Sequence, residues 1–399
     1  MAVTGGRMPV ARGQIRGTFA PPTVPAGQTV VPAAGVPEAA AHLTVAAAHV
    51  HVTSGQRRVP RGHLSGARAH SRSHYLSAVT ATEFDSEYHT PVLVAEALAA
   101  LAGATRVLDG TLGGGGHALA LLEAGADVTG IDRDPDALAA ARERLSAQGA
   151  AGRFRALRGN YADVGGLAEL DGRTFDGILL DLGVSSHQFD DESRGFSFRE
   201  GAPLDMRMGG AARSAHGESE TAADLLNSAD ESDLKQIFRD YGDEPYAFRL
   251  AHEVVRRRAN RAFATADDFV GAIRAVLGAR SGPGDFARLF QALRIAVNDE
   301  LAGLARALPA LRDRLEPGGV LAVIAYHSGE DRLVKHAFRE WSLSCICPPR
   351  QLVCTCRGRP LGVLLNKKPV LAAADEIAGN ARARSAHLRA WRRLPAAED

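Results

Sequence analysis

A glycine-rich stretch preceded by an acidic residue is the strongest candidate for chemistry in this sequence. The letters LDGTLGGGGHA run from Leu108 to Ala118, with Asp109 at their start and His117 near their end. Backbone this bare can cradle a nucleotide's phosphates, approach an adenosine that carries a sulfonium, or form a tight turn. Four glycines cost more backbone entropy than a turn requires, so we expect the stretch to bind a ligand.

Acidic residues around this loop discriminate between the two ligands. Gly113, Gly115 and Ala118 fit the G-x-G-x-x-A form of the dinucleotide fingerprint. Asp109, however, would repel a pyrophosphate and would suit a ligand with an ammonium group. Asp132 follows 23 residues after Asp109, where a carboxylate can accept both ribose hydroxyls of either ligand. The pattern therefore favours S-adenosylmethionine over a nicotinamide dinucleotide.

Two further residues that follow apolar runs are candidate catalytic residues. Asp181 comes at the end of FDGILLD, and could accept hydrogen bonds from an exocyclic amine and stabilise the positive charge developing on it. His327 follows VLAVIAY and is interpreted either as part of the site or as a strand-end histidine with structural contacts only. A Ser-His-Asp hydrolase is disfavoured because the sequence contains no G-x-S-x-G elbow.

These residues need a scaffold that brings the ends of strands together. Apolar runs at 105–109, 127–132, 152–157 and 175–183 alternate with helical segments, and a fifth run at 320–326 comes much later. This order predicts an α/β fold with a doubly wound, Rossmann-like parallel sheet. In such sheets ligands bind outside the carboxyl ends of the strands, where the candidate residues fall.

The helical segments indicate how the chain is divided. We expect a first helix with Thr90 as N-cap and Pro91 in its first turn, one long helix over 285–315, and a turn over 316–319. Between 190 and 285 only helical patterns occur, which predicts an inserted, all-helical substrate-recognition domain. The two parts of the sheet domain are then 83–189 and 286–399.

Residues 1–82 differ from the rest of the chain. They are rich in alanine and proline, and contain eight arginines against the single acidic residue Glu38, without helical or strand periodicity. Such a segment cannot bury enough apolar surface to fold, so a disordered extension is predicted. An organellar transit peptide and an upstream start codon are the alternatives.

Composition excludes several classes of protein. The 47 basic and 46 acidic residues give a net charge of +1, so binding to RNA would depend on local patches. One candidate patch is 193–208, where Phe and Met alternate with Arg, and a packed loop is its alternative. A second is the arginine-rich segment 382–393, with a solvated helix face as its alternative. No apolar run is long enough for a membrane span, and a cytoplasmic location is expected.

All four cysteines lie close together, and no disulfide framework can therefore span the chain. They read C-I-C-x6-C-T-C, at Cys345, Cys347, Cys354 and Cys356. Four thiolates this close could hold a zinc ion, or they could be four reduced, packed thiols, and the spacing leaves both open. We assign no metal to the predicted active site.

Taken together, the motifs resemble those of a known family. HTPVL, DGTLGGGGH, IDRDP, FDGILLDLGVSS, RGFSF, PLDMRM, RLFQALRIAVNDEL, YHSGEDRLVK and NARARSAHLRA occur in order between about 88 and 391. This series is similar to the bacterial 16S rRNA (cytosine-N4)-methyltransferase H family. The resemblance implies a class I methyltransferase fold with a helical insertion, S-adenosylmethionine as the methyl donor, and a cytosine in the decoding region of the small-subunit rRNA as the substrate.

The resemblance also implies roles for individual residues. The cofactor would be contacted by Gly115, Gly116, His117, Asp132 at the ribose, Tyr161 near the adenine, Asp181 and Gln188. Small ribosomal subunits would be the partner, with no membrane or DNA involved, and a homodimer is left open. One departure is that the family usually has Phe-His-Ser-Leu where this chain has Tyr326-His327-Ser328-Gly329.

Two other functions remain to be weighed. A nicotinamide-dependent oxidoreductase could use the same sheet, but Asp109 and Asp181 argue against it. A non-catalytic RNA-binding assembly factor could keep the fold, but the intact loop and the two pocket aspartates, Asp132 and Asp181, argue against it.

Overall fold

The computed structural model describes Phe84 and residues 91–148, 152–210, 220–351 and 353–395. The prediction for 1–82 and the proposed capping role of Thr90 fall outside these ranges. Within them, no helix combines the length and the apolar character that a membrane span requires.

A single eight-stranded sheet forms the centre of the described chain. Its strands are β1 Arg106–Asp109, β2 Asp127–Asp132, β3 Phe154–Arg158, β4 Phe175–Asp181, β5 Leu315–Ala325, β6 Gly362–Leu364, β7 Val370–Leu371 and β8 His387–Arg393. The order is β3-β2-β1-β4-β5-β8-β6, with β7 also paired to β8. Strands β1 to β5 are parallel, whereas β8 runs antiparallel to β5, β6 and β7.

Twelve α-helices occur in the described residues. They are α1 Val94–Ala100, α2 Gly116–Glu123, α3 Pro135–Ala147, α4 Ser186–Asp190, α5 Ala222–Ser228, α6 Glu231–Asp240, α7 Ala247–Arg258, α8 Ala266–Leu277, α9 Pro283–Val297, α10 Glu300–Asp313, α11 Ser328–Trp341 and α12 Ala374–Gly379. Short 3₁₀ helices follow β3, at Tyr161–Gly166 and Ala168–Leu170.

The strand order reverses next to β1, which confirms the predicted doubly wound sheet. The chain passes from β1 outward to β2 and β3, and then returns to pair β4 with the other edge of β1. A crevice therefore opens at the carboxyl ends of β1 and β4. Asp109 and Asp181 end these two strands, so the fold brings together the acids that the sequence singled out.

Apolar layers cover both faces of the sheet. On one face, Leu119 of α2 and Leu138 of α3 belong to a continuous buried cluster with strand residues. On the other face, Leu308 of α10 and Phe338 of α11 pack in a second cluster that includes Trp391 of β8. Burial on both faces explains why the parallel strands have continuous apolar sequences instead of alternating ones.

The helices between β4 and β5 have an apolar cluster of their own. It includes Phe238 and Phe269, whose rings stack 5.8 Å apart, and Phe290 of α9. Among the described residues between 190 and 285 the regular elements are helices, with an isolated β-bridge between Pro203 and Thr265, and the inserted domain stays a prediction. The predicted boundary after 285 falls inside α9, which spans Pro283–Val297. The buried residues of α9 belong to the same apolar cluster as far as Leu293.

Local predictions were wrong at two helices. The first helix begins at Val94, not at Pro91, because Leu93 before it has a left-handed backbone with φ 55°. The predicted long helix is divided into α9 and α10 at Asn298. The Asn298 side chain binds the backbone of Met206 and Met208, at 2.7 and 2.9 Å, and the next residue has φ 51°.

The predicted turn over 316–319 is instead a bulge within β5. Phe175 of β4 pairs with Leu315, and Gly177 pairs with Val320, so β5 has extra residues opposite a single residue of β4. Gly319 passes so close to β4 that a side chain there would lie 3.1 Å from the carbonyl oxygens of Phe175 and Asp176. A glycine run in a strand can mark such a bulge as well as a turn.

Candidate active site

An open cavity lies at the carboxyl ends of β1, β2 and β4. It is lined by Gly110, Thr111, Leu112, Gly113, Gly116, His117, Asp132, Arg133, Ala137, Gly159, Asn160, Tyr161, Asp181, Leu182, Gly183, Val184, Ser185, Gln188, Met208 and Tyr326. Most of the predicted site residues are thus brought to one place. Gly115, His327 and Asp109 do not line this cavity.

The glycine loop is tied to the end of β2. The backbone N–H of Gly113, which has φ 50°, donates to Oδ2 of Asp132 at 2.8 Å, and the N–H of Asp134 donates to Oδ1 at 2.8 Å. A carboxylate has about four lone-pair sites. Asp132 can therefore hold the loop and still accept two ligand hydroxyls, as predicted for the ribose.

Asp181 is held in place from two sides. The hydroxyl of Tyr326 donates to Oδ1 at 2.8 Å, and the backbone N–H of Asp181 donates to Oγ1 of Thr111 at 2.6 Å. Oδ2 lies 3.6 Å from Nδ1 of His117, and the Asp181 side chain is 9% exposed. The carboxylate is thus oriented before any ligand enters, as a group that stabilises developing charge should be.

His117 forms part of the cavity wall. Its Nε2 lies 2.9 Å from the carbonyl oxygen of Val92, which can only accept, so Nε2 carries a proton. This contact fixes the ring and turns Nδ1 towards Asp181. The prediction that His117 belongs to the site agrees with this position.

Asp109 lies beneath the loop and not in the cavity. Its Oδ1 accepts from the N–H of Thr111 at 3.1 Å, and its Oδ2 has no hydrogen-bond partner among the described residues. Burial, reinforced by the charges of Asp181 and Asp132, raises the pKa of Asp109 to about 7. Asp109 does not line the cavity, so the direct contact with a ligand's ammonium group that the sequence suggested is not available to it.

Gly115, Tyr161 and Gln188 hold the site by different means. Gly115 has φ 77° and precedes α2, and a side chain there would press on Ala141 of α3. Tyr161 lines the cavity, and burial raises its pKa, with a further contribution from Glu300. Gln188 uses its amide to join Asp134, Met208 and Ser185 at 2.8, 3.0 and 3.2 Å, so it supports the cavity wall.

His327 lies beside the cavity, in a second depression that shares Tyr326 with it. Its Nδ1 accepts from the N–H of Gly329 at 3.2 Å, and its Nε2 lies 3.2 Å from Oε1 of Glu330. These contacts cap the start of α11, which is the structural alternative considered above. Burial tends to raise the pKa of Glu330, but His327 and Arg294 lower it on balance.

The aromatic residues of 193–208 do not form a base-stacking surface. Phe198 packs against Phe286 and Phe290, with ring centroids 5.9 Å away in each case, and Met206 is 1% exposed. Arg194 does not face a phosphate site either, because its guanidinium pairs with buried Asp134 at 2.9 Å. These side chains are buried and do not face solvent, so the segment is the packed loop that the sequence analysis gave as the alternative.

The arginine-rich segment 382–393 is a short 3₁₀ helix, Ala381–Ser385, followed by β8, and not one solvated helix face. β8 lies inside the sheet, and Arg389 in it is buried and makes a bidentate ion pair with Asp331 at 2.7 and 3.0 Å. Arg393 bonds to the carbonyl of Asp313 at 3.1 Å. At least these two arginines serve the fold, which reduces the predicted basic surface.

Three acidic residues and one basic residue determine the charge near the cavity. Asp132 and Asp181 line it, Asp109 lies close enough to feel both charges, and Arg133 is its lining guanidinium. Burial raises the pKa of Asp132 as well as that of Asp109, and the charge of nearby Asp134 adds to the rise for Asp132. Such a site favours a ligand with hydroxyls and positive charge over a pyrophosphate.

Comparison with known proteins agrees with this geometry. Residues 86–394 match the profile of the MraW methylase family. The chain belongs to this family. It is 67% identical over 305 residues to the ribosomal RNA small subunit methyltransferase H of Gemmatimonas aurantiaca, covering 76% of this chain and 95% of that protein. The protein of the same name from Heliobacterium modesticaldum is 45% identical over 318 residues, covering 77% and 99%.

Family membership confirms the predicted methyltransferase fold class. It supports a methyltransferase over the nicotinamide-dependent oxidoreductase that was the first alternative. Sequence reasoning missed Thr111 and Tyr326, which position Asp181. Their signal was available: Thr111 lies in the glycine loop and Tyr326 follows a buried strand.

Proposed function

We propose that the protein transfers a methyl group from S-adenosylmethionine to the exocyclic N4 amine of a cytosine in the decoding region of 16S rRNA. The relatives that it matches are named as ribosomal RNA small subunit methyltransferases. The observation that carries the proposal is the position of Asp181, a buried and oriented carboxylate at the wall of an acidic cavity.

The residues present fit S-adenosylmethionine. Asp132 has lone pairs left for the ribose hydroxyls, and a side chain at Gly113 would find no other described atom within 4 Å, so the backbone there is open to a ligand. The acidic surroundings suit the positive charges of the sulfonium and the ammonium. When bound, this cofactor supplies an electrophilic methyl group.

Asp181 would act on the amine of the substrate. The lone pair of cytosine N4 is delocalised into the ring, so the nitrogen is a poor nucleophile and needs positioning. Oδ1 of Asp181 accepts from Tyr326, and Oδ2 faces His117 at the cavity wall. A hydrogen bond from N4 to this carboxylate would orient the nitrogen and stabilise its developing positive charge.

The second depression offers a route for the RNA. It adjoins the cavity at Tyr326 and is lined by Arg332, Lys335 and His387, by Ser328 and Ser385, and by Asp331, whose carboxylate is paired with Arg389. Cationic and hydroxyl side chains are the usual partners of phosphate groups. We infer that the backbone next to the target cytosine lies here while the base enters the cavity.

Labelled cofactor tests the proposal. Small ribosomal subunits from a strain without the enzyme are incubated with the protein and methyl-labelled S-adenosylmethionine, and the label is mapped on the RNA. We expect it on N4 of one cytosine of the decoding region, and none with Asp181→Asn. Asp127→Asn, an exposed aspartate at the other end of β2, is the matched control. Binding of subunits without transfer would favour the non-catalytic assembly factor.

A further inference from the structure

Four sulfur atoms form a compact cluster in the loop between α11 and β6. The Sγ atom of Cys354 lies 3.8 Å from those of Cys345 and Cys347, and 3.5 Å from that of Cys356. The Sγ atoms of Cys356 and Cys345 are 3.9 Å apart. A disulfide would require a separation of about 2 Å, so these are four free thiols that converge without a covalent link.

The separations agree with the geometry of a tetrahedral metal site. Zinc binds thiolate sulfur at about 2.3 Å, which places the four sulfurs of a tetrahedron about 3.8 Å from one another. All four Sγ atoms lie within 4.8 Å of each other, and the four separations given above are 3.5 to 3.9 Å. Thiols in contact can also lie at such distances, so the convergence of all four sulfurs on one place, and not the spacing of any one pair, favours a metal.

The loop has no buried apolar core among its described residues. None of the described residues from 342 to 360 is buried, and Val353 is 71% exposed. Its two ends are joined through the N–H of Leu361 and the carbonyl of Trp341 at 2.8 Å. Segments too small to bury an apolar core commonly depend on a disulfide or a metal for their order.

The surroundings of the sulfurs suit an anionic metal centre. The backbone N–H of Ile346 points at Sγ of Cys356 at 3.3 Å, a contact that stabilises a thiolate. Four thiolates around a divalent ion have a net charge of −2. Residues 342–361 contain three arginines, at 350, 357 and 359, and no acidic residue to add to that charge.

We propose that Cys345, Cys347, Cys354 and Cys356 bind one structural zinc ion. The site is closed, because protein sulfurs fill all four positions and leave none for water or substrate. Its role is to order the loop after α11. Arg357 extends that order to the helix, since it bonds to the carbonyls of Glu340 and Leu343 and to that of Arg359 at 3.0 Å.

Metal content tests the proposal directly. Untagged protein, prepared under anaerobic reducing conditions, is analysed by mass spectrometry for bound metals. We expect one zinc per chain, and less than a tenth of that in the double variant Cys354→Ser/Cys356→Ser. Ser344→Ala, a substitution of an exposed residue in the same loop, is the matched control and should keep the zinc.

Cobalt substitution provides a second readout that does not depend on the variant's folding. Zinc-free wild-type protein titrated with Co²⁺ should develop thiolate-to-cobalt charge-transfer bands and the intense ligand-field bands of a tetrahedral site, saturating at one ion. Trypsin should cut after Arg350 and Arg357 faster once the metal is removed. These measurements do not involve methyl transfer, so they stand whatever becomes of the proposed reaction.

Several outcomes would overturn the proposal. Zinc that persists in the double cysteine variant would have to be bound elsewhere. Reduced wild-type protein that takes up neither zinc nor cobalt, or that is isolated with iron in the cluster, would contradict a zinc site. Disulfides found in protein kept under reducing conditions would do the same.

Discussion

The phenol of Tyr326 donates a hydrogen bond to Oδ1 of Asp181 at 2.8 Å, across 145 positions of the chain. Burial and the adjacent carboxylate raise the pKa of Tyr326 well above its ordinary value. The hydroxyl is therefore a proton donor throughout the pH range of an assay. It orients a carboxylate whose residue is also positioned through its backbone N–H and lies 3.6 Å from the His117 ring.

Removal of this hydroxyl should slow methyl transfer and leave cofactor binding in place. A hydrogen bond to a charged group contributes about 1.5–3 kcal/mol, and solvent recovers part of it, so Tyr326→Phe should lower kcat about 10-fold. The dissociation constant for S-adenosylmethionine, measured by calorimetry, should change less than twofold. Tyr246→Phe, an exposed tyrosine of the helical segment, is the control. A wild-type rate in Tyr326→Phe would remove the phenol from the positioning of Asp181.

Substitution of Asp132 should affect mainly the cofactor. In Asp132→Asn the amide nitrogen faces one of the two backbone donors, from Gly113 or Asp134, and one acceptor for the ribose is lost. A loss of about 1.4–2.8 kcal/mol corresponds to a 10- to 100-fold weaker dissociation constant. Asp127→Asn, on the same strand, should bind normally. If only kcat fell, Asp132 would act on the reaction and not on binding.

The buried carboxyl of Asp109 should make stability depend on pH. Its pKa is raised to about 7 in the folded protein from an ordinary value of 3.8, so folding favours the protonated form. Stability is greatest below pH 4 with respect to this group, and decreases as pH rises towards 7. Asp109→Asn should therefore have a larger free energy of unfolding than wild type at pH 8, by up to about 4 kcal/mol for roughly three pKa units, and should unfold at a higher temperature. The difference should shrink at pH 5.

Asp176 offers a control of opposite sign. Partial burial tends to raise its pKa, but bonds from Thr105 and Arg106 lower it on balance. It stabilises the fold above its unfolded pKa and loses that contribution as pH falls through its folded value. Asp176→Asn should thus be less stable than wild type at pH 8, with a smaller difference at low pH. Thermal denaturation gives the stability of both variants relative to wild type at each pH. If the two differences changed with pH in the same direction, this assignment of the two charges would be wrong.

A pair of glycines tests the packing of the 193–208 loop. Gly195 has φ 72°, and a Cβ there would lie 2.2 Å from the carbonyl oxygen of Pro203. Gly201 has φ 77°, but nothing described lies within 4 Å of its Cβ position. Gly195→Ala should lower the free energy of unfolding by more than about 3 kcal/mol, and Gly201→Ala by about 1 kcal/mol, as measured in urea. Equal losses would mean that the loop can move away from the clash.

The sequence by itself determined the sheet and most of the cavity. Asp109, Asp132 and Asp181 were located because each follows an apolar run, and parallel strands place their carboxyl ends at one edge. The glycine loop needed no tertiary information either, since its composition shows where backbone approaches a ligand. The apolar runs and the glycine content are both local features, and they can be interpreted without knowing which distant residues they contact.

The tertiary structure decided which way side chains face and which distant residues meet. Phe198 could have stacked on bases, but Phe286 and Phe290 bury it; Arg389 could have met phosphate, but Asp331 pairs with it inside the sheet. Tyr326 reaches Asp181 only because β4 and β5 are neighbours. These outcomes depend on contacts between segments far apart in the chain. The energy of such a contact cannot be predicted from the local pattern of residues around either partner.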